Sequence, residues 1–195
     1  MEWDQRYQDN DTPWERGESA PPLVEYLENN EVHGRVLVPG CGLGHDARLL
    51  ASYGCDVLAI DISPTALHKA KSFATPSSGK LEYMLLNFLD PSNALPSNRF
   101  DYLFEHTCFC AIEPDQRLAY VEAARRILKP EGHILGIFFT DLESSDGPPY
   151  SSPHDEIQEL FSPRFEILRH WKPKRVYSGR ENEETMYLMT TKNRI

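Results

Sequence analysis

Three features of the sequence predict a three-layer, doubly wound α/β fold. Short apolar runs alternate with helix-periodic segments from Arg35 to Phe139, a glycine turn follows the first run, and two strand candidates close the chain with no clear helix between them. Alternation of this kind means a mostly parallel sheet covered by helices on both faces, and the closing pair reads as an antiparallel hairpin at one edge. Seven strands in a single domain over residues 1–195 are expected.

The elements follow in order. Residues 1–31 carry nine acidic residues against Arg6 and Arg16, together with Trp3, Tyr7 and Trp14. A merely solvated tail has no use for such apolar rings, so this acidic arm is expected to fold over something. Leu23, Tyr26 and Leu27 have helical spacing, and Gly34 ends that helix. Arg35 to Pro39 is the first strand, and His45 to Tyr53 the helix after the glycine turn. Asp56 to Ile60 forms a second strand ending at Asp61, after which Ser63 caps a helix from Pro64 to about Phe73. Leu81 to Leu86 and Phe100 to Glu105 are the third and fourth strands, separated by a Pro/Ser/Asn-rich loop over 91–99. Asp115 to Leu128 has helix composition and stops at Lys129 and Pro130, and His133 to Phe139 is a continuous apolar strand. Asp141 to Asp155 reads as a loop, and Phe165 to His170 with Met186 to Thr191 as the edge hairpin.

Composition narrows the function. Lys plus Arg total 20 and Asp plus Glu 30, a net charge of −10, which argues against nucleic acid or an anionic membrane as partner. The opening MEWDQRYQDN has no basic region followed by an apolar stretch, and no apolar run approaches bilayer length, so a cytoplasmic protein is expected. Four cysteines are too few for a disulfide framework at this length, and reduced thiols are expected.

The segment VLVPGCGLGHD puts Gly40, Gly42 and Gly44 between a strand and a helix, where backbone amides can approach a ligand closely. A dinucleotide calls for G-x-G-x-x-G. This chain has G-x-G-x-G followed by His45, which disfavours one. Asp61, at the end of the second strand, suits a carboxylate that accepts from both hydroxyls of a ribose, and Ile62 follows it in the same site. The plainer reading is a tight turn with a surface acid. Asn87 and Phe88, after the third strand, suit the edge and face of an adenine, the plainer reading being a turn cap and a core ring.

The G-x-G-x-G turn resembles the first motif of class I methyltransferases that bind S-adenosylmethionine. WDQRY, TPWERG and PPL in the arm, LVPGCGLGHDA, FEHTCFCAIEPDQR, LKPEGHILGIFF, GPPY and SGRE extend the resemblance through nearly the whole chain, to the thiopurine methyltransferase-like family and its halide and thiol methyltransferases. The resemblance implies a Rossmann-like methyltransferase fold. It also implies a cofactor pocket built from Trp3, Tyr7, Trp14, Gly40, Asp61, Asn87, Phe88 and His106, beside which Gly42 and Ile62 are expected in the same site. Three positions depart from the family: Tyr7 stands where plant relatives have tryptophan, Asn87 where an acid is common, and His106 where the plant halide enzymes have a tyrosine bordering cofactor and acceptor.

His106, Cys108 and Cys110 alternate in HTCFC, but a structural zinc site needs four ligands and no second cysteine pair exists, so no metal is expected. A Cys–His nucleophile pair lacks the context of known thiol hydrolases. Basic residues gather late, at Arg164, Arg169, Lys172, Lys174, Arg175 and Arg180. Most read as a solvated face, with Arg180 and Tyr150 of GPPY placed at the acceptor rim.

The resulting reading is methyl transfer from S-adenosylmethionine to a small soft nucleophile, a thiol, hydrosulfide or halide, by a monomer or weak homodimer. One alternative is O- or N-methylation of a small metabolite with His106 as base. Another is a non-catalytic S-adenosylmethionine-binding regulatory partner.

Overall fold

The computed structural model describes residues 2–93, 95–142 and 147–192. Its helices and strands are, in order, α1 (Trp3–Asp9), α2 (Pro21–Asn29), β1 (Arg35–Pro39), α3 (His45–Ser52), β2 (Asp56–Asp61), α4 (Pro64–Ala70), β3 (Lys80–Leu85), β4 (Phe100–His106), α5 (Arg117–Ile127), β5 (Leu128–Phe139), α6 (His154–Phe161), β6 (Phe165–Trp171) and β7 (Glu184–Thr191). A single 3₁₀ turn, Pro114–Gln116, leads into α5.

The seven strands form one sheet in the order β3-β2-β1-β4-β5-β7-β6. The first five are parallel, while β7 runs antiparallel to both β5 and β6. The edge hairpin is therefore present, with β7 inside and β6 at the rim. Strand order reverses between β1 and β4, which opens a crevice at their carboxyl ends.

Alternation along the strands divides the core into two layers. Val36 and Val38 of β1, Val57 and Ala59 of β2 and Leu135 and Ile137 of β5 pack with Leu23, Tyr26 and Leu27 of α2 and Leu50 of α3. Their neighbours Leu37, Leu58, Ile60, Ile134 and Phe138 face the other way, onto Tyr120, Val121 and Ala124 of α5 and Ile157 and Phe161 of α6. Helices thus cover both faces, the three-layer arrangement expected of such a sheet.

Several boundaries differ from the sequence expectation, each for a physical reason. Leu128 is not the end of a helix but the first residue of β5, paired with Phe100. The register then jumps to Tyr102 opposite His133, so Lys129–Gly132 bulge out of the ladder, with Glu131 at φ 61°. The helix after Ser63 stops at Ala70, and Phe73 beyond it packs against His45 and under the guanidinium of Arg48, 4.3 Å away. α6 occupies the end of what reads as a loop. Residues 143–146 of that loop lie outside the described residues.

The arm contains a helix of its own, α1, which α4 holds in place. Asp4 Oδ1 accepts the Ser63 hydroxyl at 2.6 Å and the Thr65 amide at 2.9 Å, while Lys69 Nζ donates to the Tyr7 carbonyl at 2.6 Å and to Asn10 at 2.8 Å. The late basic cluster is only partly a free face. Glu25 of α2 accepts the amides of Lys174 and Arg175, and Glu28 pairs with Arg175 at 2.7 Å. Among the described residues no helix is long and apolar enough to cross a membrane.

Candidate active site

A cavity of about 710 Å³ opens at the carboxyl ends of β1, β2, β4 and β5, closed on one side by the arm. Its near wall is the glycine turn. Gly40, Gly42 and Gly44 all have positive φ, at 57°, 53° and 72°. At Gly42 a Cβ would stand 2.8 Å from the Tyr7 hydroxyl, and at Gly40 one would stand 2.9 Å from Cys108. The glycines therefore let the arm and the loop after β4 close on the turn, whose Cys41, Gly42 and Gly44 amides are taken up by Ile60, Asp61 and Cys41.

Asp61 ends β2 and is buried. Its Oδ2 accepts the Gly42 amide and its Oδ1 the Ser63 amide, both at 2.8 Å. Burial pushes its carboxyl above the ordinary range, against the pull of these amides. The Ile62 amide donates to it as well, and the carboxylate borders the cavity. Ile62 beside it lines the same wall and stays 49% exposed, an apolar surface left open.

Over these residues lies the aromatic arm. Trp14 Nε1 donates to the Tyr7 hydroxyl at 3.1 Å, and the Trp14 ring meets Trp3 and Tyr7 edge to face, with centroids 5.3 and 5.8 Å apart. Arg6 sits over the Trp14 ring at 4.4 Å. All three rings line the cavity.

Asn87 and Phe88 take the plainer of their sequence readings, a turn cap and a core ring, and both also border the cavity. Asn87 Oδ1 accepts the Leu89 amide at 3.0 Å and so caps a turn, while the residue itself remains exposed on the cavity wall. Phe88 is core, edge to face with Tyr120 at 5.0 Å, and also lines the cavity.

The far end is built on the loop after β4. Buried Glu105 accepts the amides of Cys108 (2.9 Å) and Phe109 (2.7 Å) on Oε1 and the Tyr120 hydroxyl on Oε2, which ties the loop down. His106 precedes the bend at Thr107, whose φ is 60°. Its Nδ1 lies 2.7 Å from Asp46 Oδ2, its Nε2 3.4 Å from Arg180 Nη1, and its ring stacks on Tyr177. Arg180 is itself buried and pairs with Glu184 Oε1 at 2.8 Å. Cys108 lines the cavity, but burial pushes the thiols of Cys108 and Cys110 upward, the latter to about 12. Neither supplies a thiolate near neutrality.

Pro148 and Pro149 of GPPY form the outer wall. Tyr150 is turned onto that wall rather than into the cavity: its hydroxyl donates to Glu113 at 2.6 Å and its amide to the Cys110 carbonyl at 2.8 Å. The structure thus gathers Trp3, Tyr7, Trp14, Gly40, Gly42, Asp61, Ile62, Asn87, Phe88, His106 and Arg180 around one cavity and leaves Tyr150 behind its wall.

The family model for thiopurine S-methyltransferase matches residues 1–192. The chain belongs to the thiopurine S-methyltransferase family. Thiocyanate methyltransferase 1 of Arabidopsis thaliana is 35% identical over 162 residues, covering 83% of this chain and 71% of that protein. A probable thiol methyltransferase 2 of the same plant is 33% identical, with the same coverage. Thiopurine S-methyltransferase of Vibrio parahaemolyticus is 28% identical, covering 82% of this chain and 80% of its own. The fold is shared with solved methyltransferases. The crystal structure of the Burkholderia thailandensis 1,6-didemethyltoxoflavin-N1-methyltransferase, with bound S-adenosylhomocysteine, aligns with a TM-score of 0.73 at 17% identity over 98% of this chain and 86% of that one. Thiopurine S-methyltransferase family members use S-adenosylmethionine, and this chain is an S-adenosylmethionine-dependent methyltransferase of the Rossmann-like class.

The residues present fit that cofactor. The buried Asp61 carboxylate at the cavity edge, a left-handed glycine turn without side chains to block a close approach and an apolar wall at Ile62 and Phe88 together match a ribose, an amino acid group and a base. Sequence reasoning missed Asp46, Tyr177 and Glu184, which frame His106 and Arg180. The spacing of Arg180 and Glu184, four residues apart, was a signal for one pair. No local signal joins Asp46 to His106, 60 residues away.

Proposed function

We propose that the chain methylates a small soft nucleophile, a thiol, hydrosulfide or halide, and that its acceptor end works by placing an anion rather than by removing a proton. The observation that supports this most strongly is His106, whose two nitrogens are both engaged, Nδ1 by Asp46 and Nε2 by Arg180. Pairing with Asp46 alone would suit a base, but the Nε2 lone pair that would take a proton from a phenol or amine is turned to the Arg180 guanidinium. Arg180 places a permanent positive charge in the same wall, which favours an anionic acceptor.

Bound S-adenosylmethionine supplies a methyl carbon activated by an adjacent sulfonium. In this reading Asp61 holds the ribose hydroxyls, the Gly40–Gly44 turn faces the amino acid portion, and Ile62, Asn87 and Phe88 receive the base. Trp3, Tyr7 and Trp14 cover the site and exclude water, which strengthens every charge interaction inside it. An anion aligned and partly desolvated by Arg180 and His106 needs no further catalyst. The relatives named for thiocyanate, thiol and thiopurine methylation support the same acceptor class.

A small-molecule acceptor, a cytoplasmic setting and a monomer or weak homodimer complete the proposal. The net charge of −10 and four free cysteines support it. The test incubates the protein with S-adenosylmethionine and, separately, iodide, hydrosulfide, thiocyanate, an aromatic thiol and a phenol, measuring S-adenosylhomocysteine and volatile methyl products. Turnover of the soft anions or thiols is expected. Turnover of the phenol alone would replace this reading with the base-catalysed one.

A further inference from the structure

We propose that Asp46 is a positioning residue for the acceptor end: it holds His106 as the Nδ1–H tautomer, so that Nε2 accepts from Arg180 and the guanidinium keeps its other N–H groups toward the acceptor. The inference rests on the anion-acceptor reading above for its consequence, though not for its geometry.

The neighbours of His106 require one tautomer. A carboxylate only accepts hydrogen bonds, so the Nδ1 that lies 2.7 Å from Asp46 Oδ2 carries the hydrogen. A guanidinium only donates, so the Nε2 that lies 3.4 Å from Arg180 Nη1 presents its lone pair. Both ends of the ring therefore agree. Asp46 is not free to turn away, because its Oδ1 accepts the Ala20 amide at 2.7 Å where the arm enters α2.

Arg180 is held as closely. Nη1 also donates to Glu184 Oε1 at 2.8 Å, and the group lies over the rings of Tyr177 and Phe139, 5.1 and 5.0 Å away. Its Nη2 and Nε have no hydrogen-bond partner among the described residues, and the side chain borders the cavity. Tyr177 stacks on His106 at 6.2 Å and donates its hydroxyl to the Glu18 carbonyl at 2.8 Å, which fixes the ring plane from the other side. The result is a buried guanidinium with one edge satisfied and another open, aimed by a histidine whose tautomer is set by a carboxylate.

Asp46→Asn reverses one polarity and spares the rest. The amide oxygen still accepts from Ala20, but its NH₂ now donates to Nδ1, which moves the ring hydrogen to Nε2 and points a donor at the donors of Arg180. Nitrogen-15 spectra of histidine-labelled protein at a pH where His106 is neutral read the tautomer directly. The parent is expected to show a pyridine-like Nε2 and a pyrrole-like Nδ1, and the variant the reverse. In steady-state turnover with iodide, the variant's KM for iodide should rise about tenfold or more, because a displaced guanidinium misplaces the anion, with kcat changed less. Binding of S-adenosylhomocysteine should stay within about twofold, since the arm keeps its tie.

A parent with a pyrrole-like Nε2 overturns the proposal, and that spectrum needs no variant, so poor folding of Asp46→Asn leaves it decidable. So does a variant with the parental KM for iodide and a reversed tautomer. A parent that methylates neither iodide nor hydrosulfide overturns the acceptor reading instead, and the nitrogen resonances still decide whether Asp46 positions the ring.

Discussion

Asp4 and Ser63 lie 59 residues apart, yet the Asp4 carboxylate accepts the Ser63 hydroxyl at 2.6 Å while Ser63 Oγ caps α4 by accepting the Ala66 amide at 2.9 Å. One serine thus starts a helix and anchors the arm that lines one side of the cavity. Hydrogen bonds from the Ser63 hydroxyl and the Thr65 amide lower the Asp4 pKa from 3.8 to about 2. A carboxyl depressed on docking favours the docked arm above its undocked pKa, and that contribution is lost as pH falls from near 4 through about 2. Asp4→Asn should remove this part of the acid transition, read as the difference between the two proteins in fluorescence of Trp3 and Trp14. It should also speed proteolytic cleavage within residues 1–20. Identical acid profiles and cleavage rates would mean that the arm does not depend on Asp4.

Asp61 holds the glycine turn through the Gly42 amide and, in the proposed reading, also holds the cofactor's ribose. Asp61→Ala should weaken S-adenosylhomocysteine binding by about 1.5–3 kcal/mol, since a charged acceptor for hydroxyl groups is lost. Calorimetry gives the value directly, and a change within error would place the ribose elsewhere. Because burial raises this carboxyl, affinity in the parent should fall with decreasing pH at a higher pH than an ordinary aspartate near 3.9 would impose. The ionised form binds, so the loss runs toward acid.

His106→Tyr separates placement from base catalysis. If the ring only shapes and polarises the acceptor end, the variant should still methylate iodide or hydrosulfide, with altered preference among acceptors. A variant inactive toward every soft anion the parent methylates, while still binding S-adenosylmethionine, would move O- or N-methylation to first place. Loss of about 10²-fold or more in turnover of a phenol would point the same way.

Thiol chemistry offers a check on the buried loop. Burial raises Cys41, Cys108 and Cys110, and Cys55 moves to about 11. All four should resist iodoacetamide at pH 8 in the native protein and react readily once unfolded, when their pKa values return toward 8.5. Mass spectrometry of labelled peptides measures the contrast. Fast native labelling at Cys108 would reveal a thiolate in the cavity.

The sequence by itself determined what local chemistry fixes. Short continuous apolar runs specify strands, G-x-G-x-G specifies a tight strand-to-helix turn, Ser63 followed by Pro64 specifies a helix start, and strand two must end at Asp61. Each depends on residues within a few positions of one another, so each was legible, as were the edge hairpin and the gathering of Asp61, Asn87 and His106 at one end of the sheet. Tertiary structure alone decided which side chains meet across the crevice. Asp4 with Ser63, Asp46 with His106, and Arg180 with His106 are separated by 59, 60 and 74 residues, and only the strand order brings them within reach. It also decided that Leu128 pairs with Phe100 as a strand rather than finishing a helix, and that Tyr150 faces Glu113. Hydrogen-bond partners of this kind are chosen by which polar groups burial would otherwise leave unsatisfied, and that is a property of the packed chain, not of its neighbours in sequence.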